Sequence, residues 1–117
     1  TAVNVATGEF AWQVPLGVTV ALPEGKRNTG RLTMGGPIAT AGGLVFIGAT
    51  ADHRFRAFDS RTGKELWATT LEFSANSVPI TYQGRNGKQY VAIVAAGGYL
   101  ADRPASTDES LIVFALP

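Results

Sequence analysis

The 117 residues contain no cysteine, one histidine and one methionine. Without cysteine there is no disulfide scaffold, thiolate zinc site or thiol nucleophile, and a single histidine cannot build a histidine metal cluster or a two-histidine relay. Charge is scarce as well, at 16% Asp, Glu, Lys and Arg, and nearly balanced, with ten basic residues against nine acidic. A net charge of +1 supplies no basic field for a phosphate backbone, which excludes nucleic acid as the expected partner. Long apolar runs are missing too. The stretch from Tyr90 to Ala96 falls far short of the roughly 20 residues that span a bilayer as a helix.

What is present is apolar and heavily punctuated. Hydrophobic residues make up 45% of the chain, and 14 glycines and six prolines interrupt it too often for a long amphipathic helix. Between these breaks lie segments one strand long, rich in Val, Ile, Phe and Tyr: residues 43–48, 55–58, 78–82, 90–96 and 111–114. Several are apolar at every position, which predicts strands covered on both faces, as in stacked sheets. The first residues, Thr1-Ala2-Val3-Asn4, show neither an initiator methionine nor a basic leader, and read as an internal or processed start.

An internal repeat organises these segments. Ala2-Val3-Asn4, Thr7-Gly8 and Trp12 reappear 55 positions later as Ala57-Phe58-Asp59, Thr62-Gly63 and Trp67. A second match lays Pro37-Ile38 over Pro79-Ile80, residues 44–47 over 90–93, and Ala57-Phe58 over Val113-Phe114. In the first unit the chain is strand-like before and after Thr-Gly, so Thr-Gly marks a hairpin. Gly8 and Gly63 carry no Cβ penalty in the left-handed region that such loops use, and Asn4 and Asp59 have short acceptors for turn amides. Trp12 and Trp67 then fall at one place on the outgoing strand, each burying a flat ring and needing an acceptor for its N–H, most naturally a carbonyl of the neighbouring repeat. Four strands per unit, covered on both faces and clamped by an aromatic, describe a propeller blade. The expected fold is all-β, a partial β-propeller of about two four-stranded antiparallel blades. Residues 1–17 give the end of one blade, 36–72 a complete blade and 77–115 three strands of the next. Residues 18–34 and 97–110 are long connections, where sites tend to be built.

The stretch from Met34 to Asp52, with Arg56-Ala57-Phe58-Asp59, Thr62-Gly63-Lys64-Glu65-Leu66-Trp67, Asn86-Gly87-Lys88-Gln89-Tyr90-Val91 and the closing Val113-Phe114-Ala115-Leu116-Pro117, resembles the tryptophan-docked propellers of pyrroloquinoline quinone (PQQ) dependent dehydrogenases. The resembling group is the membrane-bound one of glucose, quinate and polyol dehydrogenases. The resemblance implies an eight-bladed parent with PQQ and a calcium or magnesium ion on its axis, oxidising a sugar, polyol or cyclic alcohol and passing electrons to ubiquinone. It implies a periplasmic parent anchored to the inner membrane by an N-terminal region absent here. The general base and metal ligands of that group lie in upstream blades, so no catalytic or metal-binding residue is expected in this chain, and the chain alone is expected to be inactive.

By the same resemblance Asp52, Gly97, Gly98 and Tyr99 face the active-site mouth as cofactor- or substrate-proximal residues. Tyr99 replaces a histidine of the glucose enzymes. Ala57, Asp59, Thr62, Gly63 and Trp67, with Thr7, Gly8 and Trp12, are docking residues. His53, and the cluster of Lys26, Arg27 and Arg31, read as solvated loop positions. A non-catalytic propeller scaffold built from the same tryptophan repeats is the competing function, and the extended Met34-to-Asp52 match separates it from the dehydrogenases. Partners expected are the remainder of the propeller, a small alcohol or sugar, ubiquinone and, through open strand edges, further copies of the chain.

Overall fold

The computed structural model describes residues 1–97 and 109–115. Within them the chain is all-β, in three antiparallel sheets that follow one another in sequence. The first sheet pairs β1 (Ala2–Val3) with β2 (Phe10–Trp12). The second has four strands in sequence order, β3 (Ile38–Ala39), β4 (Leu44–Ile47), β5 (Arg54–Asp59) and β6 (Glu65–Thr70). The third has three, β7 (Ile80–Gln83), β8 (Gln89–Ala95) and β9 (Ser110–Ala115). Apart from a short 3₁₀ turn at Glu24–Lys26 there is no helix among the described residues, and so none long and apolar enough to cross a membrane.

The repeat seen in the sequence is a repeat of hydrogen bonds. Ala2 pairs with Trp12 and Ala57 with Trp67, each followed by a register shift before the next pair. Gly8 N–H donates to Asn4 O at 2.7 Å, and Gly63 N–H to Asp59 O at 2.9 Å. The side-chain oxygens of Asn4 and Asp59 accept from the amides of Ala6 and Arg61 at 2.9 and 2.8 Å. Both glycines lie in the left-handed region, at φ 76° and 70°. The Asp59 amides hold its carboxyl below the usual carboxylate range, the Arg61 N–H contributing most.

Between the second and third sheets lies the core. Phe46, Phe55 and Ala57 from one sheet meet Val91, Ile93 and Ala95 from the other. The Phe55 ring is fully buried, 6.0 Å from Phe46 and 5.6 Å from Phe114. β5 is buried continuously from Phe55 to Phe58, since Phe55 and Ala57 face the third sheet while Arg56 and Phe58 turn to the other side. β9 departs from the both-faces expectation. Its apolar sequence alternates between half-buried and exposed, with Leu111 at 68% and Val113 at 44%, because no sheet covers its outer face among the described residues.

The two tryptophans share a register but not their surroundings. Trp12 N–H donates to the carbonyl of Ser60 in the next repeat at 2.9 Å, and its ring lies so close over Gly63 that a Cβ there would stand 2.5 Å from it. Trp67 packs edge-on against Phe55 and Phe114, with centroids 6.0 and 5.2 Å away, and is 39% exposed.

Candidate functional site

Because strands alternate in direction, the connections β2 to β3, β4 to β5 and β6 to β7, and the exit of β8, share one end of the stacked sheets. Direct contacts stitch them together. Met34 N–H donates to Ala49 O at 2.8 Å, and Ala49 N–H to Ala75 O at 2.7 Å, so the three connections form one continuous layer. Gly97 N–H donates to Ser74 O at 3.2 Å, and the Asn76 amide returns a bond to Gly97 O at 3.1 Å. Backbones approach too closely here for side chains: a Cβ on Gly48 would meet Ala75 O at 2.6 Å, and one on Gly35 would meet Asn76 O at 2.8 Å. The non-glycine residues with positive φ, Ala49 at 62° and His53 at 59°, both lie in the β4–β5 connection. Such strain persists only where surrounding contacts over-determine the backbone, and it concentrates at functional ends of folds.

Asp52 sits at the centre of this connection, and both its oxygens are taken by the chain's own donors. One accepts from the Thr50 hydroxyl, the Arg54 amide and the Arg56 guanidinium; the other accepts from the Val18 amide at 2.8 Å and again from Arg56. The paired side chains of Arg56 and Asp52 are 2% and 3% exposed, and Arg56 also reaches Glu65 at 3.2 Å. Through Val18 the pair ties the long first connection to the second sheet. Burial alone would push the Asp52 carboxyl up, but the hydrogen bonds of Arg56, Thr50 and Val18, with the charge of Arg56, bring it down to about 2 from 3.8.

A pH dependence follows. A carboxyl whose folded pKa is depressed adds stability that is complete above its unfolded value and lost as pH falls from 3.8 through about 2. After allowance for solvent screening the loss is about 1–2 kcal/mol. Urea midpoints compared at pH 5 and at pH 2.5 measure it, and the Asp52→Asn variant should be missing this component of the drop.

Of the expected mouth-facing residues, the structure brings Asp52 and Gly97 to the same end, in connections joined through Ala49, Ala75 and Ser74. Gly98 and Tyr99 lie outside the described residues. His53 donates its amide to Thr50 O and accepts from Leu71 N–H at 2.7 Å, so its backbone is part of the layer. Lys26, Arg27 and Arg31 stay in the first connection; the Arg27 side chain donates to Leu22 O, and the Arg31 amide donates to Leu16 O. Arg56, Thr50 and Asn76 were not anticipated from the sequence. An arginine inside the apolar run Phe55-Arg56-Ala57-Phe58 is the signal that finds the first, since such a residue is buried only with a counter-charge. Among the described residues no three His, Cys, Asp or Glu side chains converge as a metal-ligand set, and Asp52 has no coordination left to offer.

A family model described as the PQQ-type glucose/ethanol/alcohol dehydrogenase β-propeller domain matches residues 1–91. The quinate/shikimate dehydrogenase (quinone) of Acinetobacter baylyi is 47% identical over 105 residues, 84% of this chain and 13% of that protein. The glycerol dehydrogenase large subunit of Gluconobacter thailandicus is 41% identical over 124 aligned positions, 100% of this chain and 16% of that protein. Among solved structures, the quinohemoprotein alcohol dehydrogenase from Comamonas testosteroni is similar with a TM-score of 0.59 at 29% identity, over 68% of this chain and 12% of that one. The chain thus spans 13% and 16% of the length of these two curated relatives.

Proposed function

The chain belongs to the PQQ-dependent glucose/ethanol/alcohol dehydrogenase β-propeller family, and from that premise we propose that it is the C-terminal part of an eight-bladed dehydrogenase oxidising a polyol, cyclic alcohol or sugar. The observation that carries this reading is the 47% identity to a quinate/shikimate dehydrogenase, running over 105 residues of a chain whose tryptophan repeats alone would fit any propeller of this kind. Hydroxyl-bearing carbons are what the matched relatives' names have in common as substrates. PQQ, in the parent, accepts the electrons and protons of alcohol oxidation, and a calcium or magnesium ion beside it polarises the quinone.

The described residues of this chain do not compose the site for either group, because the one strand-end carboxylate is consumed by Arg56. Their part is to close the end of the propeller: the stitched layer of connections shields one side of the mouth from water and sets where the chain leaves at Gly97. The printed name of the Acinetobacter relative includes a quinone, which supports ubiquinone as acceptor. An acceptor held in a membrane fits a parent tethered to the inner membrane with its propeller in the periplasm.

The test is dye-linked turnover of the full-length parent reconstituted with PQQ and calcium or magnesium, against quinate, shikimate, glycerol and glucose. Turnover with at least one, and none from the 117-residue chain under the same conditions, is expected. Absence of PQQ-dependent turnover by the parent across the panel would overturn the reading, and turnover by the short chain would overturn its status as an inactive part.

A further inference from the structure

The third sheet has one strand fewer than the second. β7, β8 and β9 repeat the order and antiparallel sense of β3, β4 and β5, and β5 carries β6 along its outer edge from Arg54 opposite Thr70 to Phe58 opposite Glu65. β9 stands where β5 stands, yet among the described residues nothing pairs with its outer edge. A row of open backbone donors and acceptors beside exposed Leu111 and Val113 is a template for another strand.

Trp67 carries the same message independently. At Trp12 the neighbouring repeat supplies an acceptor and a ring-covering backbone, and the gap left beside it is about 120 Å³. At Trp67 no acceptor for the N–H is present among the described residues, and a groove of about 480 Å³ opens between Leu66, Trp67, Phe46, Phe55 and Phe114. Here the sequence adds a constraint. Laying Phe114 over Phe58 puts Ala115 at the place of Asp59 and Pro117 at that of Arg61. In the second sheet the Asp59 carboxylate accepts from the amides of Arg61 and Thr62 and so builds the hairpin into β6. Alanine has no carboxylate and proline no N–H, so the hairpin that delivers β6 is not encoded after β9.

We propose that the outer edge of β9 and the groove at Trp67 are the docking site of an extended segment of the same parent polypeptide, distant in sequence. It pairs antiparallel to β9 as the fourth strand of the third sheet, presents apolar side chains at alternate positions beside Ile112 and Phe114, and offers a backbone carbonyl to the Trp67 N–H. Relatives in which this chain accounts for 13–16% of the length have ample polypeptide to provide it. The inference rests on reading the chain as part of a larger propeller and is independent of which substrate that propeller oxidises.

A benzophenone amino acid introduced at Val113 of the full-length parent tests it by photo-cross-linking and mass spectrometry. The expected product is an intramolecular cross-link to one segment outside residues 1–117. Hydrogen exchange, which needs no substitution, should show alternate β9 amides protected in the parent and exchanging freely in the 117-residue chain. A cross-link between two copies, no protein cross-link at all, or equal exchange of β9 in both proteins would overturn the proposal. A parent without dehydrogenase turnover that still yields the intramolecular cross-link would sink the catalytic reading and leave this one standing.

Discussion

Asp52→Asn is expected to lower the unfolding free energy of the chain by about 3 kcal/mol, because it strips a buried guanidinium of its principal counter-charge. Arg56 is 1% exposed as a residue, and its planar fork is spent on Asp52, the Thr50 hydroxyl and Glu65. Removing one member of such a pair usually costs about 3–5 kcal/mol; Glu65, still at 3.2 Å and about half exposed, offsets part of it and sets the lower end. Asparagine keeps an acceptor for Thr50 or Val18 but carries no charge, so the variant isolates the ionic component. The reverse single variant, Arg56→Met, leaves a desolvated carboxylate whose pKa rises toward neutrality, and should destabilise by a similar amount. The double variant should be far less harmed than the two singles together predict, as ionic pairs replaced by apolar packing often are. Urea denaturation followed by the fluorescence of the two tryptophans measures all three. A cost below about 1 kcal/mol for Asp52→Asn would mean that the carboxylate is not committed to the second sheet, and would reopen it as a group free to face a ligand.

The fold was legible because it is written twice. A Thr-Gly step and a tryptophan recurring at one spacing disclose two hairpins with the same hydrogen bonds, and the glycines fall at φ values near 70° that a hairpin of this kind needs. The candidate site was legible only in part. Asp52 could be singled out as a strand-end carboxylate, but its partners could not: Val18 lies 34 residues away on a connection without periodic pattern, and the bond is to its backbone, which carries no residue-type signature. Asn76 is equally silent, since an amide donating to the Gly97 carbonyl is a matter of where two loops meet. Arg56 was readable in principle and missed, masked by the apolar run around it. The apolar pattern of β9 misled for a physical reason. It encodes a strand covered on both faces, while the described residues cover one.

That contrast explains how one chain can have a packed core and still present open surfaces. Burial is complete where the chain supplies both neighbours of a strand, as at Phe55, and partial where it supplies one, as at Leu111 and Trp67. A propeller blade is stabilised by its neighbours more than by itself, so its outer members depend on polypeptide beyond them. The polar end has less need of that help, since its connections satisfy one another through Ala49, Ala75 and Asp52 within the chain.

The clamp between repeats makes the sharpest comparison, because the chain contains an occupied and an empty version of the same turn. Gly63→Ala is expected to cost about 3–4 kcal/mol, and Gly8→Ala about 1–2 kcal/mol. Both glycines hold a left-handed φ, so both variants pay the same conformational penalty of about 1–2 kcal/mol. Only Gly63 lies under a ring: its new Cβ would stand 2.5 Å from Trp12, while Gly8 has nothing within 4 Å. Relieving that overlap displaces the indole and loosens its 2.9 Å bond to Ser60 O, which adds the overpacking and hydrogen-bond components. In a Trp12→Ala background the ring is gone, and Gly63→Ala should shrink to the value seen at Gly8. Equal costs for the two glycine variants in the wild-type background, by urea unfolding, would show that Trp12 does not clamp the neighbouring hairpin. A Gly63 cost that stayed at about 3–4 kcal/mol without the ring would place the strain in the turn itself, and the docking role of the tryptophan would have to be given up.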